Sequence, residues 1–153
     1  MPAESRAELR ARALRLLARR EHTRTELRRK LAAGPESPEQ IEQLLDELAA
    51  GKLLSDARYA EQRVSVRGRQ LGNARLAHEL RTVGVDAALI DSALDAAGDE
   101  AGRAQAVWQK KFGRLPSDRN DWARQARFLQ SRGFSTEIIR RVLKAAAEHD
   151  HDD

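Results

Sequence analysis

The chain has 153 residues, 28 of them basic and 24 acidic, with four histidines and a formal charge of +4. It contains no cysteine, which excludes disulfide scaffolds, Cys-ligated zinc, iron–sulfur clusters and thiol catalysis. An apolar fraction of 41% beside 34% charged residues fits neither a membrane protein nor a disordered chain. The longest apolar run is Ala87 to Ile90 and the first residues, Met1 to Arg6, carry no apolar stretch, so neither a membrane span nor a secretory signal is expected and a cytoplasmic protein is.

In chain order, a first helix is expected from about Ser5, with Leu9, Ala13, Leu16 and Leu17 on one face. Thr23-x-x-Glu26 reads as a capping box that opens a second helix carrying Leu27 and Leu31. Ser37-Pro38-Glu39-Gln40 reads as another, with proline at the first helical position of a third helix. Ser37, Asp86 and Ser135 are good N-caps and stand 49 residues apart. Four and eight residues after each come Ile41 and Leu45, Ile90 and Leu94, Ile139 and Leu143. Seven and eleven residues after each, the chain reads Leu44 and Leu48, Ala93 and Ala97, Val142 and Ala146. These offsets draw one apolar stripe along a helix, three times at one spacing.

The preceding helix recurs as well. Leu27 and Leu31 map onto Leu76 and Leu80, and Leu31 maps on to Leu129, but Leu27 meets Gln125 and the match fails there. Gly84 and Gly133 follow at the place of a left-handed helix terminator, and Val85 and Phe134 can fold back on the preceding turn. In the third unit Gly113, Pro116 and Ser117 break the chain after Phe112, and a longer helix is expected from Asp118 to Arg132. Strand signals are missing. The fold class is therefore all-α: three tandem three-helix repeats of period 49, at 5–51, 52–98 and 99–147. Residues 1–4 and an acidic tail, 148–153, are expected to be disordered. One such unit has a marginal core, so the copies are expected to stack into an elongated, curved array.

Charge follows the repeat. The segments 1–36, 57–82 and 103–132 carry +5, +4 and +6, while 37–56, 83–102 and 133–153 carry −4, −5 and −2. Pairing along helix surfaces accounts for any single pair, but the alternation over the whole chain points to a basic track suited to a polyphosphate backbone or an acidic protein surface. The cations proposed for that track are Arg28, Arg29, Arg58, Arg63, Arg67, Arg69, Arg75, Lys110, Lys111, Arg114, Arg124 and Arg127, with Arg24 and Lys30 beside them. If about five met phosphates, affinity would fall with salt at a log–log slope of about −4 to −5.

No catalytic constellation stands out. His22 and His78 are expected to be exposed, and Asp99, Glu100, Asp118 and Asp121 fall at helix starts, where acids serve as caps. Phosphate-loop, dinucleotide and His-Glu-x-x-His patterns are absent, and no metal or cofactor is expected. The spacings of Trp108 with Phe112 and of Phe128 with Phe134 favour packing between helices over base stacking.

The segment Lys52-Leu53-Leu54-Ser55-Asp56-Ala57-Arg58-Tyr59-Ala60 resembles the signature that opens the second repeat of the RecX family, with Ser55 at a position more often acidic. Gly72-Asn73-Ala74-Arg75-Leu76-Ala77-His78-Glu79-Leu80 resembles another stretch of that family. So do Ala104 with Trp108-Gln109-Lys110-Lys111-Phe112, and Phe128-Leu129 followed by Arg132-Gly133-Phe134-Ser135. The resemblance covers about Ala13 to Leu143 and implies three tandem three-helix repeats. It also implies a regulator that binds filaments of RecA recombinase on single-stranded DNA and suppresses ATP hydrolysis, strand exchange and co-protease activity, without catalytic residues of its own. Docking of that kind needs no self-association, so a monomer is expected. The alternative is a free-standing helical DNA- or RNA-binding protein without a recombinase partner.

Overall fold

A computed structural model describes the backbone of residues 3–152 and the side chains of residues 5–148. Among the described residues the chain forms helices and no strand: α1 (Ala3–Arg19), α2 (Arg24–Leu31), α3 (Pro38–Ala50), α4 (Asp56–Arg67), α5 (Asn73–Thr82), α6 (Ala87–Ala96), α7 (Glu100–Lys111), α8 (Arg119–Ser131) and α9 (Thr136–Asp152). Three helices thus fall in each expected repeat. Helix α1 starts at Ala3 and α9 runs on to Asp152, so helix reaches into both ends that were expected to be disordered. The alanines and Glu148 that follow Lys144 are strong helix formers, and no glycine or proline stops them. Residues 1, 2 and 153, which belong to those same expected ends, lie outside the described residues.

The caps fall where the sequence puts them. Thr23 and Ser37 form complete capping boxes with Glu26 and Gln40. Asp86 Oδ1 accepts from the Leu89 N–H at 2.9 Å, and Ser135 Oγ from the Ile138 N–H at 3.2 Å. At the ends of α5 and α8, Gly84 (φ 87°) and Gly133 (φ 96°) adopt the left-handed conformation. The following N–H groups of Val85 and Phe134 then turn back to the carbonyls of Leu80 and Leu129 at 3.0 and 3.2 Å.

The period of 49 is also a period of contacts. Thr23 Oγ1 donates to the Val83 carbonyl at 2.6 Å, and 49 residues on the Gly72 N–H donates to the Arg132 carbonyl at 2.7 Å. The Arg24 N–H donates to Asp56 Oδ1 at 2.8 Å, and 49 residues on the Asn73 N–H donates to Glu100 Oε2 at 2.7 Å. In both places a helix N-terminus, which has no internal partners for its first N–H groups, is capped by an acid from the first helix of the next repeat. The approach is close. A Cβ on Gly133 would lie 2.3 Å from the Arg75 Cβ and 2.7 Å from its backbone nitrogen; one on Gly72 would lie 2.4 Å from the Gly133 carbonyl; one on Gly84 would lie 2.2 Å from Thr25 Oγ1.

The chain divides into two units, Met1–Glu61 with Leu80–Ile90 and Gln62–Glu79 with Asp91–Asp153, so the second repeat contributes to both. In the first unit Leu9, Ala13, Leu27, Leu31, Ile41, Leu44, Leu45, Leu48 and Leu54 form one core. In the second, Ala104, Trp108, Leu129, Phe134, Ile138, Ile139, Val142, Leu143 and Ala146 form another, and Phe112 meets Phe128 edge to face at 5.5 Å. Gln125, which breaks the leucine pattern, is fully buried at the place Leu27 holds in the first repeat. Its Oε1 accepts the Trp108 indole N–H at 2.8 Å and its Nε2 donates to the Arg114 carbonyl at 3.3 Å. The larger indole of this repeat needs an acceptor, and the glutamine is that acceptor.

His22 is a correction to the sequence reading: it is 1% exposed, whereas His78 lies on the surface as expected. Its Nδ1 lies 3.0 Å from the Arg20 carbonyl, an acceptor only, so Nδ1 carries the proton and Nε2 accepts from Lys30 Nζ at 2.9 Å. Burial lowers its pKa from the ordinary 6.5; the hydrogen bond to the Arg20 carbonyl opposes this, and the charges of Arg20 and Lys30 add to it. The charged residues around it in sequence say nothing of this, because His22 lies in the connection between α1 and α2 and its burial is set by the tertiary structure.

Measurable outcomes follow from this packing. Gly133→Ala, which forces a side chain both into a left-handed backbone and against Arg75, should cost about 2–4 kcal/mol in urea unfolding. Gln125→Leu should cost about 1–3 kcal/mol by orphaning the Trp108 N–H. Adding Trp108→Phe to it should cost less than the two single changes summed, with a coupling of about 1–2 kcal/mol. The neutral His22 stabilises the fold fully above pH 6.5, and that stability should fall as pH drops through 6.5, where the unfolded chain takes up a proton that the folded one resists. His22→Gln should remove this slope from unfolding midpoints measured across that range.

Candidate functional site

Of the cations assigned to the basic track, several are tied inward. In the first unit Arg24 Nη2 donates to Glu42 Oε2 at 2.8 Å and to Asp46 Oδ1 at 2.6 Å. Arg28 holds the same Glu42 through Nε and Nη2. Arg28 and Arg24 together bring the Glu42 carboxyl down to about 2. Part of the charge alternation is therefore spent between α2 and α3. Arg58 donates through Nε and Nη2 to the two oxygens of Glu21 at 2.5 and 3.1 Å, and through Nη1 to the Lys52 carbonyl at 3.0 Å. The hydrogen bond to Glu21 raises its pKa. Lys30 is engaged with His22. Arg29 is exposed and forms no ion pair or hydrogen bond among the described residues.

The second unit sorts the same way. Arg67 places its fork on Glu79, at 2.8 and 3.4 Å, and Arg75 Nη1 donates to the Ser131 carbonyl at 3.0 Å. Arg114 and Arg124 share Asp121 at 3.2 and 2.7 Å. The Ser117 N–H, followed by Arg124, brings that carboxyl down to about 2. Lys111 and Arg132 lie over the Phe128 ring at 5.2 and 5.0 Å, and Arg124 lies over Phe112 at 5.4 Å. Arg63, Arg69, Lys110 and Arg127 are exposed and carry no ion pair or hydrogen bond among the described residues. Of the twelve proposed cations, then, five stand without an ion pair or hydrogen bond among the described residues and seven brace the fold.

Other cations were missed. Arg12, Arg15 and Arg19 of α1 join Lys30 of α2 around a basic concavity of about 550 Å³, floored by Leu16 and Leu31. Their spacing of three and four residues puts them on one helical face, a signal present in the sequence. Arg12 is committed there, donating to both oxygens of Glu36 at 2.9 and 3.1 Å and to the Leu31 carbonyl at 3.2 Å; Arg15 and Arg19 are exposed and unpaired among the described residues. Arg103 was not singled out either. It reaches back to the carbonyls of Gly68 and Leu71, at 3.2 and 2.9 Å, and to the Asn73 side chain.

Trp108 and Phe134 are buried in the core of the third repeat and Phe112 and Phe128 pack against it, as their spacings suggest; Trp122 is 40% exposed. Among the described residues no group of three His, Asp or Glu is placed to hold a metal ion, and no helix is long and apolar enough to cross a membrane. Asp99 and Asp118 are helix caps, as their positions suggested.

Comparison with known proteins places this arrangement. Residues 10–48, 55–94 and 99–143 match, in order, the first, second and third three-helix domains of RecX. The regulatory protein RecX of Chromobacterium violaceum is 48% identical over 150 residues, covering 98% of this chain and 97% of its own length. That of Leptothrix cholodnii is 47% identical over 146 residues, covering 94% and 93%. The crystal structure of RecX from Lactobacillus salivarius superposes with a TM-score of 0.86 at 23% identity, over 95% of this chain and 99% of that one. A second RecX crystal structure gives 0.77 at 24% identity, over 92% and 73%. With all three domains present in order and close relatives matched end to end, this chain belongs to the RecX family of regulatory proteins.

Proposed function

We propose that the chain acts by binding rather than catalysis, docking as a monomer on RecA recombinase assembled on single-stranded DNA in the cytoplasm. There it suppresses ATP hydrolysis, strand exchange and co-protease activity. The observation that carries this reading is the division among the cations. Arg29, Arg63, Arg69, Lys110 and Arg127 have no ion pair or hydrogen bond among the described residues, Arg63 feeling Glu79 only through its charge, whereas their neighbours are held by Glu21, Glu42, Glu79 and Asp121. An unpaired guanidinium or ammonium can give its full charge to a phosphate or carboxylate, while a braced one must first break a bond it already has. The relatives' name as regulators supports the same reading. Several moderate contacts on three repeats add as linked binding events.

The test is the single-stranded-DNA-dependent ATPase of RecA, titrated with this protein. Wild type should inhibit at sub-stoichiometric amounts. Arg63→Glu with Lys110→Glu and Arg127→Glu should weaken inhibition by about tenfold or more and reduce its salt sensitivity, with helix content unchanged by circular dichroism. Arg58→Glu, which sets two acids against each other at Glu21, should instead lower thermal stability. Inhibition untouched by the triple reversal would remove these residues. Tight binding to naked DNA without any effect on the ATPase would favour a free-standing nucleic-acid-binding protein.

A further inference from the structure

The third repeat carries a concave groove of about 580 Å³ that the basic track does not include. It is lined by Leu115 and Pro116 from the α7–α8 connection, Asp118, Arg119 and Trp122 from the start of α8, and Arg140, Leu143, Lys144 and Ala147 of α9. Along α9 two rows run side by side: cations at 140 and 144, apolar residues at 143 and 147, each pair one turn apart. Trp122 is 40% exposed there, while Trp108 and Phe134 of the same repeat are 4% and 2% exposed. The groove's one acid is already engaged, since Asp118 Oδ1 accepts the Asp121 N–H at 2.8 Å as the cap of α8. Arg119 and Arg140 have no ion pair or hydrogen bond among the described residues, and Lys144 has only a loose one, 4.0 Å from Glu148.

We propose that this groove is a docking site for an acidic protein segment that carries a bulky apolar side chain. An indole left in water beside an aliphatic floor, ringed by cations, is the composition of an interface anchor. The charge of the rim selects the flanks of the partner: carboxylates on either side of the inserted residue meet Arg119 on one wall and Arg140 with Lys144 on the other. A stretch of nucleic acid fits less well. The aliphatic floor of Leu115, Pro116, Leu143 and Ala147 offers nothing to the polar edges of a base. No second ring stacks with Trp122 among the described residues to sandwich one. The site stands whether or not the chain regulates a recombinase filament.

The experiment uses the full chain and a capped, fluorescein-labelled octapeptide with Phe-Leu at its centre and three acidic residues on each side, followed by anisotropy. Binding should saturate. Trp122→Ala and, separately, Arg140→Glu should each weaken it by about tenfold or more, and so should replacing the central Phe-Leu by Gly-Ser. Both variants change partly or wholly exposed side chains, so circular dichroism should match wild type. Absence of saturable binding overturns the proposal, as does equal affinity for the Gly-Ser peptide or for either variant. Displacement of the peptide by an equal concentration of an eight-residue oligothymidylate would make the groove a nucleic-acid site and overturn it too.

Discussion

The first N–H groups of a helix have no partners within the helix, and this chain satisfies them from the next repeat. Asp56 caps Arg24, and Glu100 caps Asn73. Beside each cap a carbonyl at the end of a later helix, Val83 or Arg132, accepts from Thr23 or Gly72. Two hydrogen bonds per junction require the backbones to come within a distance that leaves no room for a Cβ at Gly72, Gly84 or Gly133. An isolated repeat would expose these groups and a small apolar core together, so neighbouring repeats are joined by polar satisfaction as well as by apolar burial.

That same need spends charge. Arginines dominate the basic residues, and a planar fork can hold a carboxylate or a pair of carbonyls in fixed geometry. Arg58 does both at once, with Glu21 and the Lys52 carbonyl, and Arg103 holds two carbonyls of the α4–α5 connection. The alternation of basic and acidic segments is thus partly an internal ledger, with Arg24 and Arg28 closing on Glu42. On the proposed function, what remains for a partner is the smaller set without ion pairs or hydrogen bonds among the described residues.

The third repeat shows how one period accommodates different chemistry. Its core exchanges a leucine for Gln125 because Trp108 brings an indole N–H inside. Its proline-containing connection and longer α8 leave room for a groove with Trp122 at the edge. The repeat framework is preserved around both changes because the junction at Gly133 lies outside them.

Much of the fold was legible in the sequence, because caps, glycine terminators and apolar stripes act over three to eleven residues. Ser37, Asp86 and Ser135 start helices from their own side chains, and Ile41, Ile90 and Ile139 fall on the buried face by helical geometry alone. The resemblance carried by Gly72, Tyr59 and Gly133 named the family for the same local reason. Tertiary structure alone decided which cations are free, since Glu21 finds Arg58 across 37 residues and Glu36 finds Arg12 across 24. It also decided that His22 is buried and Trp122 exposed, because accessibility depends on what other helices cover, and no short-range pattern records that.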